Sequence, residues 1–477
     1  MTNNINKIRT LLLRRELSSE ELVRACLKNI EDKDGEIGAF LAVCADEAIS
    51  KAKKADSLIK QGGALPSLIG IPYGVKDNIC VKGMQLTCAS RMLENFIAPY
   101  DASVIKKLNA AGAIVLGKLN MDEFAMGSAT DTSYFKPTRN PLDTQRVPGG
   151  SSGGSTSAVA SSQVVFALGT DTGGSCRQPS AFCGTVSMKP TYGTVSRYGA
   201  VALASSFDQI CPISADVYSN AIISDIIMGK DPLDPTSRDP LERCTSQIGA
   251  KANGIKIAFA LPDYGVTDDV KSAIRLAAER LEKMGAKIEM VELPDPDLAV
   301  ATYYVLASSE ASSNLARFDG VRFGHRAEGA KSIDELIARS RSEGFGNDVK
   351  RRIMLGSFFL SGEGRQKYYT HALYARKYMR RQVDEILSSY DAIMLPCTPT
   401  VATRADHKPM APLEGYKSDC FCVLANITGH PAISVPCGYG EGGMPVGVQF
   451  MGKFFSEPLL YRLAYAIEQT NEVRNEQ

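Results

Sequence analysis

Two glycine loops that carry serines, together with one lysine upstream, are the residues of this chain whose types and spacing could perform chemistry. The first loop, residues 149–155, reads GGSSGGS, and the second, residues 171–175, reads DTGGS. An apolar run between them, residues 164–168, predicts a buried strand. The lysine is Lys76, in the segment GVKDN. One lysine and two serine hydroxyls can supply a base, a relay and a nucleophile without any histidine.

Lys76 could accept a proton from a serine only as a neutral amine. The reference pKa of lysine is about 10.4, and lowering it to about 7 corresponds to roughly 4 kcal/mol. Burial away from carboxylates would lower the pKa in this direction. Asp77 is adjacent in the sequence, but in an extended segment its side chain would point to the opposite face. We therefore expect Lys76 to be buried and separated from Asp77.

The second glycine loop could also stabilise a developing negative charge. Successive backbone N–H groups of Thr172, Gly173, Gly174 and Ser175 can converge on one oxygen atom. An oxyanion hole of this kind is often the largest single contribution to catalysis of acyl transfer. The sequence therefore predicts the oxyanion donors in the same loop as one of the two candidate serines.

Composition excludes several other classes of protein. The 477 residues are 44% hydrophobic and 22% charged, with a net charge of +1, which argues against a strong basic surface for nucleic acid. The first residues contain no signal peptide, and no apolar run reaches the roughly 18 residues of a membrane span. The twelve cysteines form no CxxC pair and the four histidines are dispersed. We predict a cytoplasmic protein with reduced thiols, no metal site and no membrane contact.

Hydrophobic periodicity predicts an α/β protein with a largely buried sheet. A capping box, Ser18 with Glu21, begins a helix over residues 18–31. A helix ended by glycine and followed by a strand occurs twice, with the predicted elements at residues 101–111 and 113–116, then 270–284 and 287–291. Further strands are predicted at residues 392–396 and 432–436, and a surface region of helix and loop at residues 324–352.

The segments that carry the candidate chemistry resemble the amidase signature family. They are residues 72–78 (PYGVKDN), 149–155 and 169–175 (GTDTGGS). The resemblance implies an amidase signature fold, in which helices cover both sides of a large mixed β-sheet. The sequence has no convincing linker and no internal repeat, so we predict one catalytic domain over residues 1–477, with the signature core of the family at about residues 65–200.

The same resemblance assigns catalytic roles. Ser175 would be the acyl-ester nucleophile and Lys76 the base. Ser151 would be the bridging serine, preceded by a cis peptide bond. A phosphate-binding interpretation of the glycine loops is disfavoured because no GxxxxGK[ST] motif occurs in the sequence.

Four further segments resemble one branch of that family. They are residues 87–96, 121–128, 188–193 and 308–320. Members of the branch release ammonia from glutamine for a partner that amidates a mischarged tRNA. The resemblance implies glutamine as substrate. It also implies a heterotrimer, in which the second subunit is a tRNA-binding amidotransferase subunit and the third subunit is small. It implies no cofactor in this chain, ATP and Mg²⁺ on the tRNA-binding partner, and tRNA contact only through the complex.

The branch also implies a glutamine pocket. Arg352 would bind the α-carboxylate and Asp419 the α-ammonium, because a free amino acid carries both charges. Tyr303 or Tyr304 would line the same pocket. Taken without the resemblance, the run Lys350-Arg351-Arg352 is typical of a solvated helix face, and Asp419 of a turn or a helix cap.

Two residues depart from the family pattern, and three functions remain as alternatives. Cys176 replaces a larger aliphatic residue and His430 replaces a leucine, and both are interpreted as packing residues. Cys420 and Cys422 are interpreted as alternating thiols of a strand. A stand-alone amidase of small carboxamides is the main alternative; a scaffold without catalysis and an ATP-activating ligase are disfavoured. The sequence leaves open whether Glu-tRNA(Gln), Asp-tRNA(Asn) or both are served.

Overall fold

One mixed β-sheet forms the centre of the protein. The computed structural model describes residues 3–406 and 419–470. Within them, eleven strands join in the order β1-β3-β2-β4-β6-β5-β10-β11-β9-β7-β8. The strands are β1 Phe40–Val43, β2 Pro72–Lys76, β3 Ile114–Leu119, β4 Phe166–Asp171, β5 Val186–Lys189, β6 Gln209–Ser214, β7 Lys256–Phe259, β8 Lys287–Met290, β9 Ala392–Pro396, β10 Ala432–Tyr439 and β11 Pro445–Gly452.

Helices connect these strands and cover the sheet. The α-helices are α1 Ile5–Arg14, α2 Ser19–Ile37, α3 Ala45–Gln61, α4 Ser103–Ala110, α5 Gly153–Ala160, α6 Arg177–Cys183, α7 Val217–Ile227, α8 Asp268–Lys283, α9 Pro296–Leu315, α10 Ile333–Gly344, α11 Asn347–Leu360, α12 Gly362–Gly364, α13 Thr370–Ser389, α14 Val423–Thr428 and α15 Glu457–Thr470. In the part of the chain that is described, no helix is both long and apolar enough to cross a bilayer.

Both faces of the sheet are buried against apolar side chains. Along β3, Ile114 and Leu116 belong to one apolar cluster, which includes Val23 of α2 and Ala48 of α3. Val115 belongs to a second cluster on the opposite face. Successive side chains of a strand alternate between faces, so this division means that both faces are covered. The predicted α/β architecture with a buried mixed sheet is confirmed.

The strand register brings the two candidate segments to the same edge of the sheet. β2 pairs with β3 and with β4 in parallel, whereas β4 pairs with β6 in antiparallel orientation. Lys76 ends β2, and Asp171 ends β4. Because parallel neighbours end at the same edge, Lys76 lies beside the loop that follows Asp171.

Most of the predicted elements are present. The capping box of Ser18 and Glu21 forms, although its helix extends to Ile37. Gly112 and Gly285 end their helices with φ angles of 83° and 90° and lead into β3 and β8. The strand predicted at residues 164–168 begins later, at Phe166. The single-domain organisation stays a prediction.

A close contact between two helices shapes the region that contains Arg352. A Cβ atom on Gly356 of α11 would lie 2.0 Å from the carbonyl oxygen of Ser308 on α9. One helical turn earlier on each helix, Arg352 Nη2 donates to Tyr304 Oη over 3.2 Å. The contacts follow ascending order on both helices, so α9 and α11 run parallel here. Gly356 therefore permits the approach that places Arg352 against Tyr304.

We expect Gly356→Ala to destabilise the protein by about 1–3 kcal/mol, because the added methyl group would overlap backbone atoms of α9. Gly35→Ala is the matched control, since a Cβ there meets nothing within 4 Å and the residue lies in α2. Removing a glycine from an exposed helix should stabilise it by up to about 1 kcal/mol. Thermal melting measures both. Equal melting temperatures for the two variants would contradict the close helix contact.

Candidate active site

Lys76 lies at the centre of a buried hydroxyl cluster. Its side chain is fully buried. Its Nζ atom lies 2.8 Å from Ser151 Oγ, 2.8 Å from Ser152 Oγ and 3.4 Å from the carbonyl oxygen of Thr170. Ser152 is a contact that the sequence interpretation missed, although the doubled serine of GGSSGGS was a visible signal. The arrangement directs one lysine nitrogen at the serine predicted to be the relay.

Burial moves the pKa of Lys76 toward the neutral range, while nearby acidic groups oppose the shift. Burial lowers the pKa of Lys76 to about 8. The neighbouring Asp77 points away and pairs with Lys118 Nζ over 3.0 Å, with both side chains fully buried. Lys118 therefore compensates the one adjacent carboxylate, as the predicted alternation of an extended strand requires.

Backbone contacts fix the first serine loop. The Gly150–Ser151 peptide bond is cis, which agrees with what the family resemblance implies for Ser151. Gly150 N–H donates to Gln178 Oε1 over 3.0 Å. Ser152 N–H donates to the carbonyl oxygen of Ser175 over 3.1 Å. The two serine loops are thus joined directly through their backbones.

The second loop is held by an ion pair that the sequence interpretation missed. Asp171 Oδ1 lies 2.9 Å from Arg177 Nη2, and both side chains are fully buried. Arg177 also donates to the carbonyl oxygen of Cys422 over 3.0 Å and to Gln449. Burial alone would raise the pKa of Asp171, but the adjacent Arg177 guanidinium outweighs it and holds the pKa well below its usual range. Opposite charges on either side of an uncharged glycine loop were the available signal.

Ser175 lies between these two charged residues and is 6% exposed. Its Oγ atom makes no hydrogen bond to another described side chain. No hydrogen bond therefore joins the Oγ atoms of Ser175 and Ser151 in this structure, and the proton relay between the two serines stays a prediction.

The oxyanion prediction needs one correction. Gly174 N–H donates to Asp171 Oδ1 over 2.9 Å, so it is already used by a carboxylate and is not available to a substrate oxygen. The Gly173 N–H group donates to no described residue. Thr172 instead uses its hydroxyl, which donates to Asp208 Oδ1 over 2.7 Å. Thr172 and Gly173 remain the candidate donors, with the N–H of Ser175 beside them.

The predicted pocket tyrosines lie close to the second loop. A Cβ atom on Gly173 would lie 2.6 Å from Tyr303 Cζ, so glycine allows the phenol ring to rest on the loop. Tyr304 lies farther along α9 and faces Arg352, whose guanidinium carbon is 4.8 Å from the ring centroid. Tyr303 therefore lies against the loop and Tyr304 against Arg352, with 5.5 Å between the centroids of the two rings.

Arg352 is buried, at 5% exposure, and does not lie on the solvated helix face that its run of basic residues indicates. Asp419 lies in a turn, as its sequence context suggested. The Oδ1 atom of Asp419 is buried and accepts no hydrogen bond from a described residue. Burial raises the pKa of the Asp419 carboxyl well above its usual value. Arg352 contacts Tyr304, whose ring centroid lies 5.5 Å from that of Tyr303, so the arginine reaches the loop of Ser175 through the two tyrosines.

The turn that contains Asp419 packs directly on the nucleophile loop. Cys422 N–H donates to the carbonyl oxygen of Asp419 over 2.8 Å. A Cβ atom on Gly174 would lie 2.4 Å from Cys422 Cβ. The structure therefore brings Asp419 next to the loop of Ser175, although 244 residues separate them in the sequence.

The comparison with known proteins decides the family. The family model for Amidase matches residues 21–461. The chain belongs to the amidase family. The glutamyl-tRNA(Gln) amidotransferase A-subunit of Geobacillus thermodenitrificans (strain NG80-2) is 48% identical, covering 98% of this chain and 97% of that protein. Both the recognised family and the predicted fold class are therefore confirmed.

Solved structures of amidases agree. The glutamyl-tRNA(Gln) amidotransferase A-subunit of Thermotoga maritima superposes with a TM-score of 0.79 at 41% identity, over 95% of this chain and 92% of that chain. A peptide amidase from Stenotrophomonas maltophilia has a TM-score of 0.83 at 28% identity, over 98% of this chain and 96% of that chain.

The two departures from the amidase family pattern are packing residues. Cys176 is buried, with its Sγ atom 3.5 Å from Ser152 Oγ. His430 is 1% exposed, contacts the ring of Phe454 and lies 3.1 Å from Asp384 Oδ1. Burial lowers the pKa of His430 to about 3, so it is neutral.

One expectation for the cysteines is wrong, and one about metals stays open. Cys420 and Cys422 do not alternate along a strand, because they lie in the turn that leads into α14. Potential ligand atoms of Asp171, Cys176 and Cys211 lie within 4.8 Å of one another. Asp171 is already paired with Arg177. The predicted absence of a metal stays a prediction.

Amide hydrolysis by this amidase should increase with pH and level off above about pH 8, because Lys76 accepts a proton only after losing its own. The measurement is kcat/KM for a carboxamide from about pH 6 to about pH 10. Lys189→Met is the matched control, since burial also lowers the pKa of Lys189 to about 8, but its Nζ donates to Pro190. The control should keep the same profile. A kcat/KM that does not change with pH near pH 8 would exclude Lys76 as the base. So would a pH dependence that disappears in Lys189→Met.

Proposed function

We propose that the chain is the glutaminase subunit of a glutamyl-tRNA(Gln)/aspartyl-tRNA(Asn) amidotransferase. It hydrolyses glutamine through an acyl-serine and delivers ammonia to a partner subunit. The observation that carries the proposal is the buried oxygen of Asp419 beside the Ser175 loop, with Arg352 held against Tyr304, the neighbour of Tyr303. Similarity to two proteins named as one component of glutamyl-tRNA(Gln) amidotransferase supports it.

The first half of the reaction would form the acyl-enzyme. Ser175 Oγ attacks the side-chain amide carbon of glutamine, and its proton moves to Ser151 Oγ. The proton of Ser151 moves at the same time to Lys76 Nζ, with which it shares a hydrogen bond of 2.8 Å. The C–N bond then breaks, and the leaving nitrogen takes the proton back from Lys76 through Ser151 to depart as ammonia.

The second half would regenerate the serine. A water molecule attacks the carbon of the glutamyl ester, and its proton moves through Ser151 to Lys76. The bond between that carbon and Ser175 Oγ then breaks, the proton returns through Ser151 to Ser175 Oγ, and glutamate leaves. In both halves the negative oxygen would be stabilised by the backbone N–H groups of Thr172, Gly173 and Ser175. Gly174 is not among them, because Asp171 holds its N–H group.

Substrate selection would depend on opposite charges at the two ends of the pocket. Arg352, held flat against Tyr304, would bind the α-carboxylate of glutamine. The buried oxygen of Asp419 would accept the α-ammonium group, which supplies the hydrogen bond and charge that this oxygen lacks among described residues. Tyr303 would form the wall between the amino acid and the Ser175 loop.

The remaining steps would belong to the two partners in a heterotrimer. The tRNA-binding second subunit would activate the mischarged tRNA with ATP and Mg²⁺ and combine it with ammonia, while the small third subunit would complete the assembly. This chain itself would bind no cofactor and would contact tRNA only through the complex. We propose the cytoplasm as its location, because aminoacyl-tRNA is made and used there.

A stand-alone amidase of small carboxamides is the second candidate. The likeness to a peptide amidase favours it, because that protein has the same fold. The candidates differ in the pocket, since simple amides carry no α-ammonium and no α-carboxylate. Preference for glutamine over a simple amide by the wild-type chain decides between them.

We expect Ser175→Ala to abolish glutamine hydrolysis without changing the melting temperature. Lys76→Ala and Ser151→Ala should each lower kcat by orders of magnitude, and the double variant should lose little more than either single variant. The reason is that both residues act in one proton transfer. Independent, multiplicative losses in steady-state kinetics would contradict the relay, and substantial activity in Ser175→Ala would exclude the nucleophile.

We expect Arg352→Ala and Asp419→Ala to raise KM for glutamine by about tenfold or more, because each leaves one charge of the amino acid unpaired. Turnover of a simple carboxamide, which carries neither charge, is the internal control and should change much less. An unchanged KM for glutamine in either variant would remove that residue from the pocket.

We expect the isolated chain to bind neither tRNA nor ATP appreciably. Its glutaminase activity should increase when its partners and the activated aminoacyl-tRNA are added, because uncoupled hydrolysis would waste glutamine. Filter binding and glutamate release measure the two properties. Tight tRNA binding by the chain alone, or full activity without partners, would contradict this division of labour.

A further inference from the structure

The loop of Ser175 is held by hydrogen bonds to two carboxylates, one on each side. On one side the Asp171 carboxylate accepts N–H groups of Gly174, at 2.9 Å, and Cys176, at 3.3 Å. On the other side the Thr172 hydroxyl donates to Asp208 Oδ1 over 2.7 Å. The hydrogen bonds to Asp171 fix the part of the loop after Gly173. The hydrogen bond to Asp208 fixes the part before it, which contains the Thr172–Gly173 peptide.

Asp208 is placed for this contact by strand register. β4 and β6 pair in antiparallel orientation, and Asp171 is opposite Gln209. The next pair in the same register would be Thr172 with Asp208, just beyond both strands. At this position a side-chain hydrogen bond continues the pairing of the two chain segments. The oxyanion loop is thus connected to β6 through one hydroxyl group.

The second oxygen of Asp208 is also fully used. Asp208 Oδ2 accepts N–H groups of Leu203, at 2.9 Å, and Ala204, at 3.1 Å. Asp208 is 8% exposed, and no lysine or arginine of the described chain forms an ion pair with it. Three hydrogen bonds therefore hold the carboxylate in one orientation, with Oδ1 directed at Thr172.

The segment that ends at Asp208 is anchored to two helices. Ser206 N–H donates to Glu310 of α9 over 2.9 Å, and Arg376 of α13 donates to the carbonyl oxygen of Ser206 over 3.1 Å. Phe207 contacts Tyr303, with 5.9 Å between the ring centroids. The same segment therefore contacts both the predicted pocket wall and the oxyanion loop.

We infer that Asp208 is a positioning residue for acyl transfer: through the Thr172 hydroxyl it orients the Thr172–Gly173 peptide toward the substrate oxygen. The inference rests on the proposed acyl-serine reaction. Asp208 contacts neither the substrate nor the reacting atoms. Its removal should lower the rate of the chemical step because a small displacement of a donor weakens stabilisation of the transition state.

The test is a double-mutant cycle of Thr172→Val and Asp208→Asn, measured by glutamine hydrolysis in the assembled complex. Each single variant should lower kcat about tenfold or more with KM changed less than about twofold, because the substrate pocket is intact. The double variant should lose about as much as the larger single loss. Thr172→Ser keeps the hydroxyl and should restore most of the kcat lost in Thr172→Val.

Asp231→Asn is the matched control. Asp231 is also buried and accepts hydroxyl groups of Ser103 and Ser196 and the N–H of Leu233, but none of these belongs to the site. It should lower the melting temperature and leave kcat unchanged.

Several results would overturn the inference. They are an unchanged kcat in Thr172→Val, multiplicative losses in the double variant, and a loss confined to KM. If Asp208→Asn does not fold, the comparison of Thr172→Val with Thr172→Ser still decides. A wild-type complex that hydrolyses a simple amide but not glutamine would contradict the proposed function, and the same cycle measured on that amide would still test Asp208.

Discussion

The buried ion pair of Asp171 and Arg177 is the interaction on which the rest of the site depends. It lies between the serine loop and the C-terminal part of the chain, since Arg177 also contacts Cys422, Asn426 and Gln449. Removing two charges from water is costly, and such a pair is tolerated only when its remaining hydrogen bonds are satisfied. Here the Asp171 carboxylate accepts backbone N–H groups of the loop. The same hydrogen bonds therefore stabilise the buried charge and fix the conformation of the loop.

Lys76 shows the opposite use of burial. Among the described residues no carboxylate forms an ion pair with it, and desolvation lowers its pKa. The partner that the sequence supplies, Asp77, is directed to the other face of β2 and is neutralised there by Lys118. Lys76 and Lys118 are both buried and lie 42 residues apart in the sequence. Strand alternation directs Asp77 to Lys118 and away from Lys76, so Lys118 forms an ion pair and Lys76 does not form one with Asp77.

Glycines allow segments that are distant in the sequence to pack closely at the site. Gly173 admits the ring of Tyr303, Gly174 admits Cys422, and Gly356 admits the backbone of α9. Each contact brings a different segment to the loop or the pocket. The pocket is therefore assembled from chain segments whose separation in the sequence is large, and glycine is required at the points of closest approach.

The sequence by itself determined the residues that could do chemistry and much of the architecture. Glycine loops with serines at fixed spacing, and helices ended by Gly112 and Gly285, are local patterns that depend on few neighbours. The same holds for the side chain of Asp77, which in an extended segment points away from that of Lys76. These features were predictable because backbone conformation and alternation are set by residues close in the chain.

Only the tertiary structure decided which groups are buried and which N–H groups are free. Arg352 lies in a run of basic residues that is typical of a solvated face, yet packing of α11 against α9 buries it. Gly174 belongs to the predicted oxyanion loop, yet its N–H is used by Asp171. The contact of Thr172 with Asp208 follows from the register of β4 and β6. Each depends on segments distant in sequence, and no local pattern specifies how such segments meet.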